Sequence, residues 1–275
     1  MRLRNSTTKA PAFISEISCC SKSIGAKHVT TSKEEFMDTR GLSKETWKNV
    51  VKAIEESIPE YDRVNDLISL GKAQEARDFA LGRLRLRDGL RILDSGIGPG
   101  SASRMILSSI RPNLLVGLDG SAKQLKTAKE NLTHVRTDVL QVVRGSFEFL
   151  PFRDNTFDTI TTCYALRDSL DMRRSLAEYS RVCGPNGSFA DVDIGKPGNV
   201  LKRTGSILYI RYIMPLIAKV AILGKIRGNP WRMIAPTYKS LPTNQALLMQ
   251  IEARFGNVEL KEFLMGGIVV VIGRK

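Results

Sequence analysis

The run Leu90-Arg91-Ile92-Leu93-Asp94-Ser95-Gly96-Ile97-Gly98-Pro99-Gly100 decides the fold of this 275-residue chain. Its first six residues form a short β-type run, and the glycines that follow predict a tight turn. Apolar residues then recur at helical spacing at Met105, Ile106 and Ile110. A strand, a glycine-rich turn and a helix make the first unit of a Rossmann-like sheet, in which the turn and the helix N-terminus face a ligand.

Strands and helices alternate after this unit, which predicts a parallel α/β sheet with helices on both faces. The segment 44–88 has an amphipathic helical pattern, and the runs 258–263 and 266–272 predict a closing β-hairpin with an antiparallel last strand. The other predicted elements are strands at 114–118, 140–144, 157–163 and 188–192, helices at 123–132 and 172–182, and a turn at 184–187.

The glycine loop has the spacing G-x-G-x-G, with Asp94 before it, rather than the G-x-G-x-x-G of dinucleotide-binding folds. This form resembles the S-adenosylmethionine loop of class I methyltransferases. Asp119 ends the second predicted strand, where an acid can accept hydrogen bonds from both ribose hydroxyls. The alternative is that Asp119-Gly120-Ser121 caps the next helix. Both roles are compatible if Ser121 is the cap.

Three further stretches resemble the ubiquinone/menaquinone biosynthesis C-methyltransferase family. Residues 61–71 read Y-D-R-V-N-D-L-I-S-L-G and match the family's Y-D-x-x-N-D-x-x-S-x-G. Residues 150–158 are similar to its L-P-F-x-D-N-x-F-D, and Leu166-Arg167-Asp168 stands where the family has L-R-N. The resemblance runs from Tyr61 to the C-terminus. It implies a Rossmann-like class I methyltransferase sheet and S-adenosyl-L-methionine as cofactor.

The chain departs from the family pattern at several of the residues that the resemblance assigns to the cofactor. Pro99 replaces a threonine, Ser146 an asparagine or aspartate, and Cys163 a serine, while Asp168 replaces the asparagine of L-R-N. The cofactor-binding residues expected from the resemblance are Asp94, Gly96, Gly98, Pro99, Gly100, Asp119, Gly120, Ser146, Phe147 and Cys163.

The implied reaction transfers a methyl group from a sulfonium to a ring carbon of a prenylated hydroquinone. Because a phenolate is a better carbon nucleophile than a phenol, the site needs a base or a cationic stabiliser. The resemblance places Arg167 at this site, and because arginine stays protonated we expect it to stabilise the phenolate. Asp168 is then the proton acceptor or the partner that holds Arg167, and Tyr61 and Asn65 close the site from the N-terminal helices. The alternatives are a surface capping pair at Arg167 and Asp168 and a packing role for Tyr61.

The formal net charge of +14 is concentrated in one segment. Residues 199–243 contain eight Lys or Arg and no Asp or Glu, mixed with aliphatic residues. This composition suits an interfacial helix on an anionic membrane surface. The alternative is an ordinary buried lid whose basic side chains reach water. The segment is too aliphatic for the groove of alternating Lys/Arg and aromatic residues on which bases stack, which argues against a methyltransferase that acts on RNA.

We expect a basic, disordered tail at 1–40 and a single methyltransferase domain at 41–275. The domain would comprise N-terminal helices at 44–88, a core at 89–198, the lid at 199–243 and a closing helix and strands at 244–275. Ten Ser or Thr and six Lys or Arg in residues 1–33 fit either a plain tail or a transit peptide. We therefore expect a cytoplasmic, peripherally membrane-associated protein, or one on the mitochondrial matrix side.

Two histidines and four cysteines without C-x-x-C spacing favour no metal site. The sequence leaves a homodimer open. It also leaves open a methyltransferase acting on another small molecule or lipid, and a non-catalytic binding module in which the site has drifted.

Overall fold

The structure is a computed structural model, and it describes residues 42–275 apart from 136, 137, 224 and 227. The tail expected at 1–40 lies outside these residues. Seven strands form one sheet with the order β3-β2-β1-β4-β5-β7-β6. The strands are β1 Arg91–Ser95, β2 Leu114–Asp119, β3 Leu140–Arg144, β4 Phe157–Cys163, β5 Cys183–Ile194, β6 Asn257–Phe263 and β7 Ile268–Arg274.

The first five strands are parallel, and β7 runs antiparallel between β5 and β6. β7 is apolar on both faces, and Ile268 to Ile272 are all buried, because helices cover both sides of a central strand. The outer strands β3 and β6 are half-exposed, as edge strands are. The predicted α/β sheet with an antiparallel last strand is therefore confirmed.

Side chains that alternate along each strand divide the core into two layers. In β5, Phe189 packs into one hydrophobic cluster and Ala190 into the other. In β1, Leu93 and Ile92 divide in the same way. Period-two alternation thus gives each face of the sheet its own layer of helices.

The segment predicted as helical at 44–88 folds into three helices, α1 Lys44–Ser57, α2 Tyr61–Ile68 and α3 Lys72–Arg83. Ser43 caps α1 by accepting a hydrogen bond from the backbone N–H of Thr46 (3.1 Å). Three more helices connect the parallel strands: α4 Ser101–Ser109, α5 Ala122–Leu132 and α6 Met172–Val182.

The basic segment 199–243 is mostly helical and is called the lid below. It contains α7 Val200–Leu208, a π-helical turn at Tyr209–Ile213, α8 Met214–Ala221, a 3₁₀ turn at Pro230–Met233 and α9 Ile234–Ser240. The π-helical turn ends two residues before Pro215, which lacks the backbone N–H that a regular α-helical hydrogen bond would need. The closing helix α10 follows at Asn244–Phe255.

The strand predicted at 188–192 is longer in the structure, and the turn predicted at 184–187 lies inside it. Cys183 pairs with Phe157 and Ser188 pairs with Thr159, so four residues of β5 oppose one of β4. Asn186 accommodates this bulge with a φ of 60°. The turn-forming residues at 184–187 do interrupt the regular pairing, but they form a bulge within β5, and the strand continues on both sides of it.

The carboxyl ends of β1, β2, β4 and β5 meet at one edge of the sheet. The turn between β6 and β7 lies at the same edge, because Ile268 pairs with Ile194. In open α/β sheets this edge is where ligands bind.

Candidate active site

The glycine loop after β1 is held against the end of β2. The backbone N–H groups of Gly96 and Ile97 both donate to the carbonyl of Leu118 (2.7 and 3.0 Å). Gly96 has a φ of 78°, and a Cβ there would lie 2.2 Å from the Cβ of Ala165. The sequence needs glycine at this position because the loop passes in contact with the residue that follows β4.

A cavity of about 190 Å³ lies beside this loop, and we call it the glycine-loop cavity. It opens at the carboxyl edge of the sheet, between the loop, helix α1 and the segments after β2, β3 and β4. Seven of the ten residues expected at the cofactor line it: Gly96, Gly98, Asp119, Gly120, Ser146, Phe147 and Cys163.

Asp119 is fixed on the wall of this cavity by backbone donors. Its Oδ2 accepts from the N–H of Gly98 (3.1 Å), and its Oδ1 accepts from the N–H of Ser121 (2.9 Å). Ser121 itself caps α5, accepting from the N–H of Gln124 (3.2 Å). The cap role considered for this region therefore belongs to Ser121, and Asp119 stays on the cavity wall. Burial raises the pKa of Asp119, against the lowering effect of these N–H groups.

Phe147 and Cys163 form apolar parts of the wall of the glycine-loop cavity. The Phe147 ring lies 3.4 Å from where a Cβ of Gly96 would stand. The Cys163 thiol ends β4, 3.7 Å from the hydroxyl of Thr161, and burial raises its pKa to about 12. Cys163 is therefore a neutral thiol and not a nucleophile at neutral pH.

The other three expected cofactor residues lie behind the loop. Asp94 is buried and accepts a hydrogen bond from Ser103 (2.6 Å), so it fixes the start of α4 from inside. Pro99 is buried and its carbonyl accepts from Asn131 (2.9 Å). Gly100, with a φ of 95°, is the N-cap of α4 and would clash with Leu132 if it had a Cβ. Their contacts shape the loop from within.

A buried ion cluster lies at the end of β4 and β5. The Arg167 guanidinium contacts Asp193 through Nη1 (2.8 Å) and Asp168 through Nε (3.5 Å). The backbone N–H of Arg167 also donates to Asp193 (3.0 Å). The three side chains are at most 11% exposed. Arg167 and Asp168 are therefore not the exposed capping pair considered from the sequence.

A second cavity, of about 50 Å³, lies next to the first and is called the lid cavity. Arg167 lines it, and Tyr61 and Asp168 line both cavities. The lid closes it from above: Trp231 is 4% exposed and its indole N–H donates to Asn65 (2.9 Å). The three residues expected to carry catalysis thus meet at the wall between the two cavities.

Burial controls the protonation of this cluster. It raises the pKa of Asp168 to about 6, although Arg167 opposes the rise. Burial alone would lower the pKa of Arg167, but Asp168 and Asp193 raise it well above its usual range. At neutral pH the site therefore holds a fixed cation and a carboxylate whose pKa is close to the working pH.

Sequence reasoning missed several residues of this site. Asp193, which anchors Arg167, ends β5 at the edge where ligands bind, so its position was the signal that could have found it. Trp231 closes the lid cavity against Asn65, which the sequence did place there, and Val50 and Ile54 of α1 line both cavities. Those contacts join segments far apart in sequence and had no local signal.

The bound group that this cavity would suit is a nucleoside with an attached amino acid. Asp119 presents a carboxylate whose remaining lone pairs suit two ribose hydroxyls, and Phe147 offers an apolar face for a base. Gly96 leaves the loop backbone accessible, because it lacks a Cβ. The residues present therefore fit S-adenosylmethionine. Within the described ranges, no group of three His, Cys, Asp or Glu is placed to hold a metal ion.

The fold and this site define a class I methyltransferase. A sequence model of the ubiE/COQ5 methyltransferase family matches residues 41–275, and the chain belongs to that family. It is an enzyme that uses S-adenosyl-L-methionine as its methyl donor.

The curated relatives are similar over most of their length. A demethylmenaquinone methyltransferase of Desulfitobacterium hafniense is 29% identical over 253 residues, 89% of this chain and 96% of the relative. Enzymes of the same name are 28% identical in Lactiplantibacillus plantarum, over 79% of this chain and 92% of theirs, and 32% identical in Listeria monocytogenes, over 62% and 73%.

Solved structures support the fold. A methyltransferase structure from Methanococcus maripaludis has a TM-score of 0.53 at 16% identity and covers 80% of this chain and 93% of its own. One from Thermotoga maritima has a TM-score of 0.53 at 16% identity and covers 82% and 99%.

Proposed function

We propose that this enzyme methylates a ring carbon of a prenylated hydroquinone of the demethylmenaquinol type. Relatives named demethylmenaquinone methyltransferases align with up to 89% of the chain. The observation that carries the proposal is the buried pair Arg167 and Asp168 at the wall between the glycine-loop cavity and the lid cavity. An acceptor ring admitted by a shift of the lid would lie beside Arg167 and Asp168 and meet the methyl donor where the two cavities adjoin.

S-adenosylmethionine, when bound, supplies an electrophilic methyl group, so the protein must orient the acceptor and remove a proton. Asp168 accepts the phenolic proton, because it is a carboxylate above about pH 6 and lines both cavities. Arg167 keeps its proton and stabilises the phenolate that forms. Transfer to the ring carbon would break the methyl–sulfonium bond and leave S-adenosylhomocysteine. The ring C–H proton would then leave to solvent, and the phenolate oxygen would take back the proton held by Asp168, which restores the aromatic ring and the carboxylate.

In this proposal the other residues hold the two reactants. Asp119 binds the ribose, and Gly96, Gly98, Gly120, Ser146, Phe147 and Cys163 form the wall around the nucleoside and the methionine. Tyr61 closes the site at the contact of the two cavities. Asp193 is a positioning residue, since it holds Arg167 from the side away from the lid cavity and does not line either cavity.

A pair of substitutions tests the assignment of roles. Arg167→Ala should leave S-adenosylmethionine affinity within about twofold and lower the rate of methyl transfer to a short-chain demethylmenaquinol by about 10²–10³. Asp119→Ala should weaken cofactor binding by about tenfold or more, since it removes a charged hydrogen-bond acceptor. Isothermal titration calorimetry and a turnover assay measure the two effects. Full activity in Arg167→Ala would refute the proposed function of the pair.

The lid supports association with a membrane that carries the lipid substrate. Nine large apolar side chains between Val200 and Leu223 are at least 43% exposed. No Asp or Glu occurs from residue 194 to residue 251, while Lys202, Arg211 and Lys219 lie within or next to the apolar face. An exposed apolar helix face with basic flanks suits an anionic bilayer surface. Among the described residues no helix is both long and apolar enough to span a bilayer.

Charge reversal tests this association. Changing Lys202, Arg211 and Lys219 to Glu should abolish flotation with vesicles that contain phosphatidylglycerol, since each basic residue near an anionic surface contributes about 1 kcal/mol. Lys225 is left intact, because it pairs with Glu60 (2.7 Å) and its loss would disturb the lid. Reversal of the exposed Arg111, Lys129 and Arg254, outside the lid, is the matched control. Equal flotation of both triple variants would contradict the association.

A further inference from the structure

Two loops outside the lid share its exposed apolar character. Of the large apolar side chains that are exposed in the described part of the chain, nine lie in α7, the π turn, α8 and the residues just after it. Leu67 and Leu70 lie at the end of α2, and Met265 lies in the turn between β6 and β7. Leu70 is 70% exposed and Met265 77% exposed, which makes them two of the most exposed apolar residues described.

The backbone at Leu70 and Met265 adds a second observation. Leu70 has a φ of 53° and Met265 a φ of 55°, both in the left-handed region. Gly, Asn or Asp adopt this region at lower cost than leucine or methionine. An exposed turn would therefore be more stable with Asn or Gly at either position. Neither the backbone nor burial explains why an apolar side chain stands there.

Contacts connect both loops to the lid. The Tyr209 hydroxyl donates to the carbonyl of Ile68 (2.6 Å), which brings the α2 end beside the π turn. A Cβ at Gly267 would lie 3.9 Å from the hydroxyl of Ser206 in α7. The end of α2 and the turn between β6 and β7 therefore both lie against the lid at residues 206–209. All three segments lie at the edge of the sheet that holds the two cavities.

We infer that Leu70 and Met265 insert into an anionic lipid bilayer together with the apolar face of α7 and α8, and so turn the mouth of the active site toward the membrane. The inference rests on the membrane association proposed above and adds to it two anchor points and an orientation. The partner is a bilayer because exposed apolar residues alternate with basic ones along the lid and no acid occurs between residues 194 and 251. A bilayer can also take up isolated apolar side chains, because its interior needs no pocket of complementary shape.

The test uses the full chain with Leu70→Asn and with Met265→Asn. Each change keeps a residue that tolerates the left-handed backbone and removes the apolar side chain. We expect the melting temperature to stay equal or to rise, while binding to phosphatidylcholine vesicles that contain phosphatidylglycerol falls by about tenfold for each. Met249→Gln, an exposed methionine in α10 on another part of the molecule, is the matched control and should bind like the wild type.

The outcomes separate this inference from the association on which it rests. If the wild-type chain does not float with these vesicles, the membrane association itself is wrong. If the wild type floats and both Asn variants float equally well, the two anchor points are wrong while the association stands. If sedimentation velocity shows that the Asn variants convert a dimer into a monomer without loss of vesicle binding, the loops belong to an interface between two copies, and the inference is also overturned.

Discussion

At the scale of single residues, the chemistry of the site depends on how its charges are fixed. Arg167 has two carboxylate partners of unequal distance, Asp193 at 2.8 Å and Asp168 at 3.5 Å. The close partner also accepts the backbone N–H of Arg167, so it determines the position of the guanidinium. The distant partner is the one that lines both cavities. The geometry thus separates the carboxylate that positions Arg167 from the one available to a substrate proton.

This separation predicts the pH dependence of the reaction. Because burial raises the pKa of Asp168 to about 6, the carboxylate form is lost as the pH falls below that value. We expect kcat/KM to rise with pH through a midpoint near 6, and this rise is the acid limb of the pH profile. Asp168→Asn should remove the acid limb and lower the rate by about 10²–10⁴. A pH-rate profile of both proteins measures the effect.

Asp94 provides the control for this profile, since burial raises its pKa to about 6 as well. Its carboxylate contacts Ser103 and does not line the cavities, so Asp94→Asn should keep the limb. Persistence of the limb in Asp168→Asn would assign the titration to another group.

The sequence predicted much of the candidate site because local patterns reflect local geometry. Gly96 and Asp119 stand at strand ends that the apolar runs define, and the family motif marks Arg167 and Asp168. Asp94, Pro99 and Gly100 belong to the same motifs, but they contact helices α4 and α5 and do not line the cavity. Motif spacing predicts which residues surround a turn, whereas the direction of each side chain depends on packing against distant segments. Asp193 was missed for the same reason.

At the scale of elements, the lid is connected to α2 and the turn before it by four polar contacts. Besides Trp231 to Asn65 and Tyr209 to Ile68, these are Arg63 to the carbonyl of Ala221 (2.9 Å) and Lys225 to Glu60 (2.7 Å). The lid cavity of about 50 Å³ has room for a few waters and not for a two-ring head group. The acceptor ring therefore requires the lid to shift.

The buried hydrogen bond of Trp231 controls this shift. In Asn65→Ala the indole N–H keeps its burial and loses its acceptor, which costs about 1–3 kcal/mol. We expect faster amide hydrogen exchange in residues 230–240, measured by mass spectrometry, with unchanged exchange in β1, β4 and β5. Tyr209→Phe, which removes the contact to the Ile68 carbonyl, should affect residues 205–213 instead. Unchanged exchange at 230–240 in Asn65→Ala would contradict this role for the hydrogen bond.

The secondary structure was predicted well where hydrophobic periodicity is strong. β4 and α6 have the predicted bounds, and the helical pattern at 44–88 was correct in type. The pattern did not locate the break between α2 and α3: Gly71, with a φ of 74°, was its local sign, whereas the left-handed backbone at Leu70 had none. The bulge in β5 was also beyond local patterns, because pairing with β4 and β7 extends the strand across turn-forming residues.

At the scale of the whole molecule, one buried carboxyl group in the described part makes stability depend on pH. Asp191 in β5 is fully buried, and neither of its carboxylate oxygens has a hydrogen-bond partner. Burial raises its pKa well above the ordinary value, and the nearby Asp193 raises it further. Asp191 therefore keeps its proton in the folded protein at pH values where an exposed aspartate has lost it.

Asp191 should make the fold less stable as the pH rises. The unfolded chain releases this proton near pH 4, whereas the folded chain retains it, so stability falls by about 1.4 kcal/mol per pH unit until the folded group also titrates. Asp191→Asn should melt at the same temperature as the wild type at pH 4 and at a higher temperature at pH 7.5. Differential scanning calorimetry measures this difference. The exposed Asp78→Asn serves as the control, and equal melting of Asp191→Asn and wild type at pH 7.5 would contradict the argument.

The contacts between α2 and the lid also restrict how this protein could be recombined with its relatives. The partners in these contacts are separated by 141 to 166 residues in the chain, so neither segment carries the whole set. A chimera that receives only a foreign lid would keep Asn65 and Glu60 as acceptors but could lose their donors, Trp231 and Lys225. Acceptor specificity should therefore transfer between homologues only when both segments are exchanged together, as one unit of inheritance.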